Sequence, residues 1–296
     1  APFEIGAHDV YERFVLPRRL FGREQEVAAL MGAFERVADG RSEVLFVSGY
    51  SGVGKTALVS EVKRPIVKRR GYFISGKIDQ HQRSVPYAAF IQAFGELIRQ
   101  ILTEPEELVQ AWRTRLLEAL DGNGAVISEV IPDIELLIGA QPQVTDLPAN
   151  EAHNRFNSLF MDFVGVFATP NNPLVVFLDD LQWADTPSLK LMRQLSSSSE
   201  AEYLLLIGAY RDNEVTPDHP LMVTIDELQH GGATLSRVHL DGLTIADLEE
   251  LVAEATRSSG ERAQPLAKLA HQKTGGNPFF LGEFLRALYR ERLLHH

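Results

Sequence analysis

The segment Gly49-Tyr50-Ser51-Gly52-Val53-Gly54-Lys55-Thr56 satisfies every fixed position of the pattern GxxxxGK[ST]. In such a segment glycines let the backbone turn until its N–H groups point inward at phosphate oxygens, and a helix beginning at the lysine adds positive potential. The chemistry this permits is capture of a nucleotide's phosphate chain by Ser51, Gly52, Val53, Gly54, Lys55, Thr56 and Ala57. Lys55 is expected to neutralise the β and γ phosphates. Thr56 is expected to offer its hydroxyl to Mg²⁺, which keeps most of its shell as water, phosphate and one acidic contact.

That acidic contact is expected from Leu174-Val175-Val176-Phe177-Leu178-Asp179-Asp180, an apolar run that ends abruptly in two carboxylates. Adjacent carboxylates repel, and burying both is costly without a cation, so the pair suits a site beside Mg²⁺. Asp179 and Thr56 form the expected metal pair, and Asp180 is expected to orient or deprotonate an attacking water. Standing alone, Asp-Asp is also ordinary turn sequence. Arg211 closes the apolar run Leu204–Tyr210, where its donor fork could read a third phosphate or simply be a solvated charge. Lys55, Asp179, Asp180 and Arg211 are thus the catalytic candidates. Gly275-Gly276-Asn277-Pro278 reads as a loop followed by a helix start, with Pro278 in the first turn. The nine histidines show no HExxH spacing, and neither a GxSxG elbow nor an HRD loop is present, so metal hydrolysis and serine hydrolysis find no support in the sequence.

The elements that must position these residues follow from periodicity. Val27, Leu30, Met31, Phe34 and Val37 repeat at helical spacing, and Val44–Val47 is a short buried strand. A helical pattern runs from Lys55 to about Lys68. Further apolar runs at Tyr72–Ser75, Leu174–Leu178, Tyr203–Ala209 and Leu235–Leu240 alternate with helical patterns. Such alternation predicts an α/β fold, a mostly parallel sheet covered on both faces by crossover helices. A helical insertion, about 87–167, separates the second and third strands and suits a lid or a partner surface. From Leu243 on, Thr244 and Asp247 form a variant capping box, and three apolar stripes predict a small helical lid domain. The expected layout is an extended lead-in over 1–20, a nucleotide-binding domain over 21–242 and the lid over 243–296.

A chain of 296 residues with 45% hydrophobic and 23% charged content can bury a proper core. Its net charge of -11 removes any general pull toward nucleic acid or anionic lipid. Zero cysteines leave no disulfide framework or thiolate metal site, which suits a cytoplasmic protein. No apolar stretch approaches the roughly 20 residues that cross a bilayer, so no membrane partner is expected. No secretory signal is read at the N-terminus. Beginning at Ala1 and closing on His295 and His296 directly after a helical pattern, the sequence is expected to be an excerpt of a longer protein.

Taken together, the motifs resemble the STAND class of P-loop NTPases, signal-transduction ATPases related to AAA+ proteins. The resemblance covers about 20–290 and rests on Leu20-Phe21-Gly22-Arg23-Glu24, the phosphate-loop (Walker A) segment, Leu178-Asp179-Asp180-Leu181-Gln182-Trp183-Ala184-Asp185 (Walker B), Tyr210-Arg211 and Gly276-Asn277-Pro278. It is strongest to the ATPase module of large bacterial multidomain serine/threonine or histidine kinases. The resemblance implies Phe21, Gly22 and Arg23 near the adenine, Arg211 as the sensor arginine and Pro278 closing over the base. It also implies that ADP holds a closed form and ATP permits opening and self-association. The chain departs from the family in stopping before a winged-helix domain, and in carrying Asp180 where many AAA+ proteins have glutamate, one methylene longer.

The expected function is an ATP/ADP-binding switch with slow Mg²⁺-dependent ATP hydrolysis, acting on other domains of the same protein or on its self-association. A non-hydrolysing scaffold whose nucleotide is structural is the alternative. A DNA-associated AAA+ ATPase is argued against by the acidic charge.

Overall fold

The computed structural model describes residues 16–17, 19–80, 85–145, 147–197, 201–291 and 293. Most of the predicted lead-in over 1–20, and the closing His295 and His296, lie outside the described residues. The described chain forms two compact units. One comprises Gln25–Tyr50 and Lys55–Leu240; the other takes the described residues up to Glu24, the short segment Ser51–Gly54, and those from Asp241 on.

The first unit is built on a sheet. Helix α1 (Glu24–Ala38) leads into β1 (Ser42–Gly49), followed by α2 (Lys55–Ser60), α3 (Lys63–Lys68) and β2 (Tyr72–Lys77). Five helices come next: α4 (Ala88–Ile101), α5 (Glu106–Leu120), α6 (Gly124–Ser128), α7 (Glu135–Ile138) and α8 (Ala149–Phe167). The unit closes with β3 (Leu174–Asp179), α9 (Thr186–Ser197), β4 (Leu204–Tyr210), α10 (Pro220–His230) and β5 (Leu235–Leu240). The strands stand in the order β2-β3-β4-β1-β5, and every pairing is parallel. Strands buried on both faces are apolar without alternation, which is why β3 and β4 stood out in the sequence. The exception within β1 is Glu43, 1% exposed, whose carboxylate accepts two bonds from Arg36 of α1 at 2.7 and 2.8 Å and one from Ser236 of β5 at 2.5 Å. A buried charge satisfied this fully ties α1 to the sheet.

Two elements differ from the sequence expectation. The helix predicted over Lys55–Lys68 is two helices. Glu61 and Val62 bond three residues back, to Leu58 and Val59, before Ile66 resumes the four-residue bond to Val62. Pro65, lacking an N–H and crowding the carbonyl four residues before it, accounts for the interruption. Strand β2 runs on to Gly76 and Lys77, past the apolar run at which the expected strand stopped.

The insertion helices share the sheet's core. Phe90 and Phe94 of α4 interlock with Phe160, Phe163 and Phe167 of α8, with ring centroids 5.1 to 6.4 Å apart. All five are fully buried beside Ile74 of β2 and Val176 of β3. Against β2, α4 comes so close that a Cβ on Gly76 would lie 1.9 Å from the Ala89 carbonyl oxygen.

In the second unit, α11 (Ile245–Thr256), α12 (Gly260–Thr274) and α13 (Pro278–Arg290) pack around Leu248, Val252, Ala267, Ala270, Leu281 and Leu285. The Thr244 side chain accepts from the Asp247 N–H at 3.3 Å while Asp247 accepts from the Thr244 N–H at 2.8 Å, a closed capping box. Phe21, which the sequence grouped with the sheet, has its ring in this helical core.

These two backbone environments give opposite expectations for glycine substitution. Gly76→Ala should destabilise the protein by about 2–3 kcal/mol, because α4 must move to admit the methyl. Gly165→Ala, on an exposed turn of α8 with nothing within 4 Å of the new Cβ, should stabilise it by about 0.5–1 kcal/mol. Urea unfolding of the two variants measures both signs.

Candidate functional site

In the sheet unit the parallel register brings the C-terminal ends of the strands to one edge. Lys55 opens α2, and its side chain is buried. Its Nζ donates to the carbonyls of Gly49 at 2.7 Å and Tyr50 at 2.9 Å. Burial pushes its pKa below the ordinary lysine value, Asp179 opposes that, and Arg211 adds to it. The next residue, Thr56, donates its hydroxyl to Asp179 Oδ2 at 2.9 Å. Asp179 Oδ1 accepts from the Asp180 N–H at 3.0 Å. Burial raises the Asp179 pKa; the Thr56 hydrogen bond works against this and the neighbouring Asp180 charge reinforces it.

A hydroxyl in contact with a desolvated carboxylate is a donor set suited to Mg²⁺. Among the described residues no group of three or more His, Asp or Glu could hold a metal by itself. A cation here would therefore draw the rest of its shell from phosphate and water, as Mg²⁺ does in nucleotide sites.

Asp180 sits in left-handed backbone at φ 60° and is 5% exposed. Its carboxylate lies 3.3 Å from Lys77 Nζ and 3.3 Å from Arg211 Nε, and accepts from Gln182 Nε2 at 2.9 Å. Gln182 also accepts from the Arg211 N–H at 3.1 Å, and the guanidinium lies 4.9 Å over the Trp183 ring. Lys77, Asp180, Trp183 and Arg211 border a cleft of about 580 Å³. With Gln182 and Arg211 on Oδ1 and Lys77 on Oδ2, the Asp180 carboxylate keeps one acceptor position for a water and shares its charge between two cations.

Lys77 and Gln182 were not singled out by their residue type. Lys77 could have been found by register, since it pairs with Asp179 across β2 and β3. A lone lysine after a glycine gives no such signal in sequence.

The helical unit carries the other candidates. Ser51–Gly54 lies against the start of α13: Asn277 Nδ2 donates to the Ser51 carbonyl at 2.8 Å, and the Phe279 N–H donates to the Gly52 carbonyl at 3.2 Å. Pro278 is the first residue of α13, with Asn277 as its N-cap. Phe21 is buried under the Arg19 guanidinium, 4.0 Å from the ring centroid. Gly22 is in left-handed backbone, and the buried Arg23 donates to the Asp241 carbonyl. The structure thus gathers Lys55, Thr56, Ala57, Asp179, Asp180 and Arg211 in the sheet unit, and Phe21, Gly22, Arg23, Ser51, Gly52, Val53, Gly54 and Pro278 in the helical one.

Residues 19–207 match the family described as the AAA ATPase domain. The chain is 31% identical over 360 residues to hybrid signal transduction histidine kinase G of Dictyostelium discoideum, covering 99% of this chain and 10% of that protein. It is 24% identical over 265 residues to the peroxide stress-activated histidine kinase mak2 of Schizosaccharomyces pombe, covering 82% and 11%. The chain thus spans about a tenth of the length of these curated relatives. Among solved structures, the ORC2 protein of Aeropyrum pernix in its ADPNP–ADP complexes is similar with a TM-score of 0.48, at 14% identity, over 90% of this chain and 61% of that one.

The raised Asp179 pKa fixes the sign of a pH effect. The folded protein binds this proton more tightly than the unfolded chain, so the group favours folding below the ordinary aspartate pKa and loses that contribution as pH rises through its folded value. The melting temperature of the wild type, measured without nucleotide and relative to Asp179→Asn, should therefore rise as pH falls from 7 toward 4. A difference independent of pH would contradict the assignment.

Proposed function

We propose, from the premise that this chain belongs to the AAA ATPase domain family, that it is a nucleotide-gated switch of the STAND kind. It binds Mg-ATP, hydrolyses it slowly and passes the change to the rest of a longer signalling protein. The observation that carries this reading is the 3.3 Å contact between Arg211 and Asp180. The side chain suited to reading a third phosphate holds the carboxylate suited to orienting water. A γ phosphate competing for Arg211 would loosen that hold, so hydrolytic competence and nucleotide state are linked through one ion pair.

In this reading Lys55 moves from the carbonyls of Gly49 and Tyr50 onto phosphate oxygens, exchanging neutral acceptors for charged ones. Thr56 and Asp179 would hold Mg²⁺, which supplies positive charge against the developing negative charge on the phosphates. Asp180 aligns the water, in competition with the cations that hold its carboxylate. That competition supports slow turnover. Phe21, Gly22, Arg23 and Pro278 are proposed for the adenine side by resemblance alone. The signalling context rests on the histidine kinase relatives, and with it the proposal that the output is a change of shape or self-association.

The same hold on Asp180 by both Lys77 and Arg211 favours one other reading, a scaffold that keeps its nucleotide unhydrolysed. Nucleotide released on denaturing the purified protein should be stoichiometric ADP, and Lys55→Ala should carry none; an empty wild type that also fails to bind added nucleotide would sink both readings. Asp180→Asn separates them. The switch predicts that it lowers the ATPase rate by about tenfold or more, whereas the scaffold predicts a wild-type rate no higher than the variant's.

A further inference from the structure

Asn277 uses one amide for two tasks. Its Oδ1 accepts from the N–H groups of Phe279 at 3.0 Å and Phe280 at 3.4 Å, satisfying donors that the first turn of α13 leaves unpaired. Its Nδ2 donates to the Ser51 carbonyl at 2.8 Å. Beside it, the Phe279 N–H is shared with the Gly52 carbonyl at 3.2 Å. A loop that turns its N–H groups toward phosphate presents carbonyls elsewhere, and those of the exposed Ser51 and Gly52 can take donors from water or from protein. Two consecutive carbonyls of the phosphate loop find theirs on the first turn of one helix. The approach leaves no slack. A Cβ on Gly52, whose φ is 78°, would lie 2.8 Å from Phe279 Cβ and 2.9 Å from Asn277 Oδ1.

The geometry points to Asn277 as a positioning residue for the phosphate loop, one that clamps Ser51 and Gly52 in the form that holds nucleotide without itself touching the nucleotide. The inference rests on the nucleotide-binding reading above. The side-chain type is informative. Serine, threonine and aspartate cap helices about as well as asparagine. Aspartate has no donor, however, and the serine and threonine hydroxyls are a bond too short to span from the cap to the Ser51 carbonyl. Asparagine alone among these good caps has an acceptor for the helix and a separate donor for the loop. Flipping the amide would break both sets of bonds, so capping of α13 and clamping of the loop form a single state.

Asn277→Asp and Asn277→Ser keep the cap and remove the donor. Amide hydrogen exchange in a peptide spanning 50–56, measured without nucleotide, should speed up in both variants by about five- to tenfold, the loss of one net hydrogen bond. The global unfolding midpoint should fall by no more than about 2–4 °C, the cost of that same hydrogen bond. Dissociation of a fluorescent ADP analogue should accelerate by a similar factor in both, which separates the effect from the added charge of aspartate. Wild-type exchange, or faster exchange with unchanged ADP dissociation, overturns the proposal. If the wild type binds neither ADP nor ATP, the functional reading fails, and the exchange comparison still decides whether Asn277 clamps the loop.

Discussion

A parallel sheet delivers the last residue of every strand to the same edge, and here that edge receives Gly49, Lys77, Asp179, Tyr210 and Leu240. Placing two carboxylates and three cations there is possible only because each desolvated charge has a partner. Lys55 turns back onto carbonyls, Asp179 onto Thr56, and Asp180 onto Lys77 and Arg211. Full ionisation of an isolated carboxylate at such depth would be costly. The pairing is the condition on which the rest of the arrangement stands, and Asp180 is its shared member: a ligand that offers Arg211 a better partner leaves that carboxylate to Lys77 and Gln182.

The fold is legible in the sequence where burial leaves a continuous mark. Strands β3 and β4 are apolar at every inner position because helices cover both faces, and the alternation of such runs with helical stripes led directly to the α/β sheet. Thr244 and Asp247 announced their helix because capping is a local interaction between near neighbours. What escaped was long-range or backbone-mediated. Pro65 broke a helix that side-chain periodicity alone carried straight through. Lys77 follows a glycine beyond the apolar run Tyr72–Ser75, and only register sets it opposite Asp179. Asn277 read as loop because its partner, the Ser51 carbonyl, has no side-chain identity for a pattern to detect.

The phosphate loop shows how the two kinds of information divide. Its glycines and lysine are legible since each answers a local demand of backbone turn or charge. Which surface receives the outward carbonyls is a property of the tertiary fold, and the three-residue string Gly276-Asn277-Pro278 acquires its meaning only when α13 is seen to start against Gly52.

The phenylalanine column joining α4 to α8 has a consequence for how the chain folds. Strand β2 must find β3, pairing Tyr72 with Leu174, and between them lies the whole helical insertion whose own core is the same column. The central sheet therefore cannot be completed early by local zipping. A route on which the insertion collapses first brings its ends together and lowers the loop-closure entropy of the strand pairing that follows. On that route the insertion acts as a folding template for the sheet's edge, and truncating it would strand β2 and draw Lys77 away from Asp180.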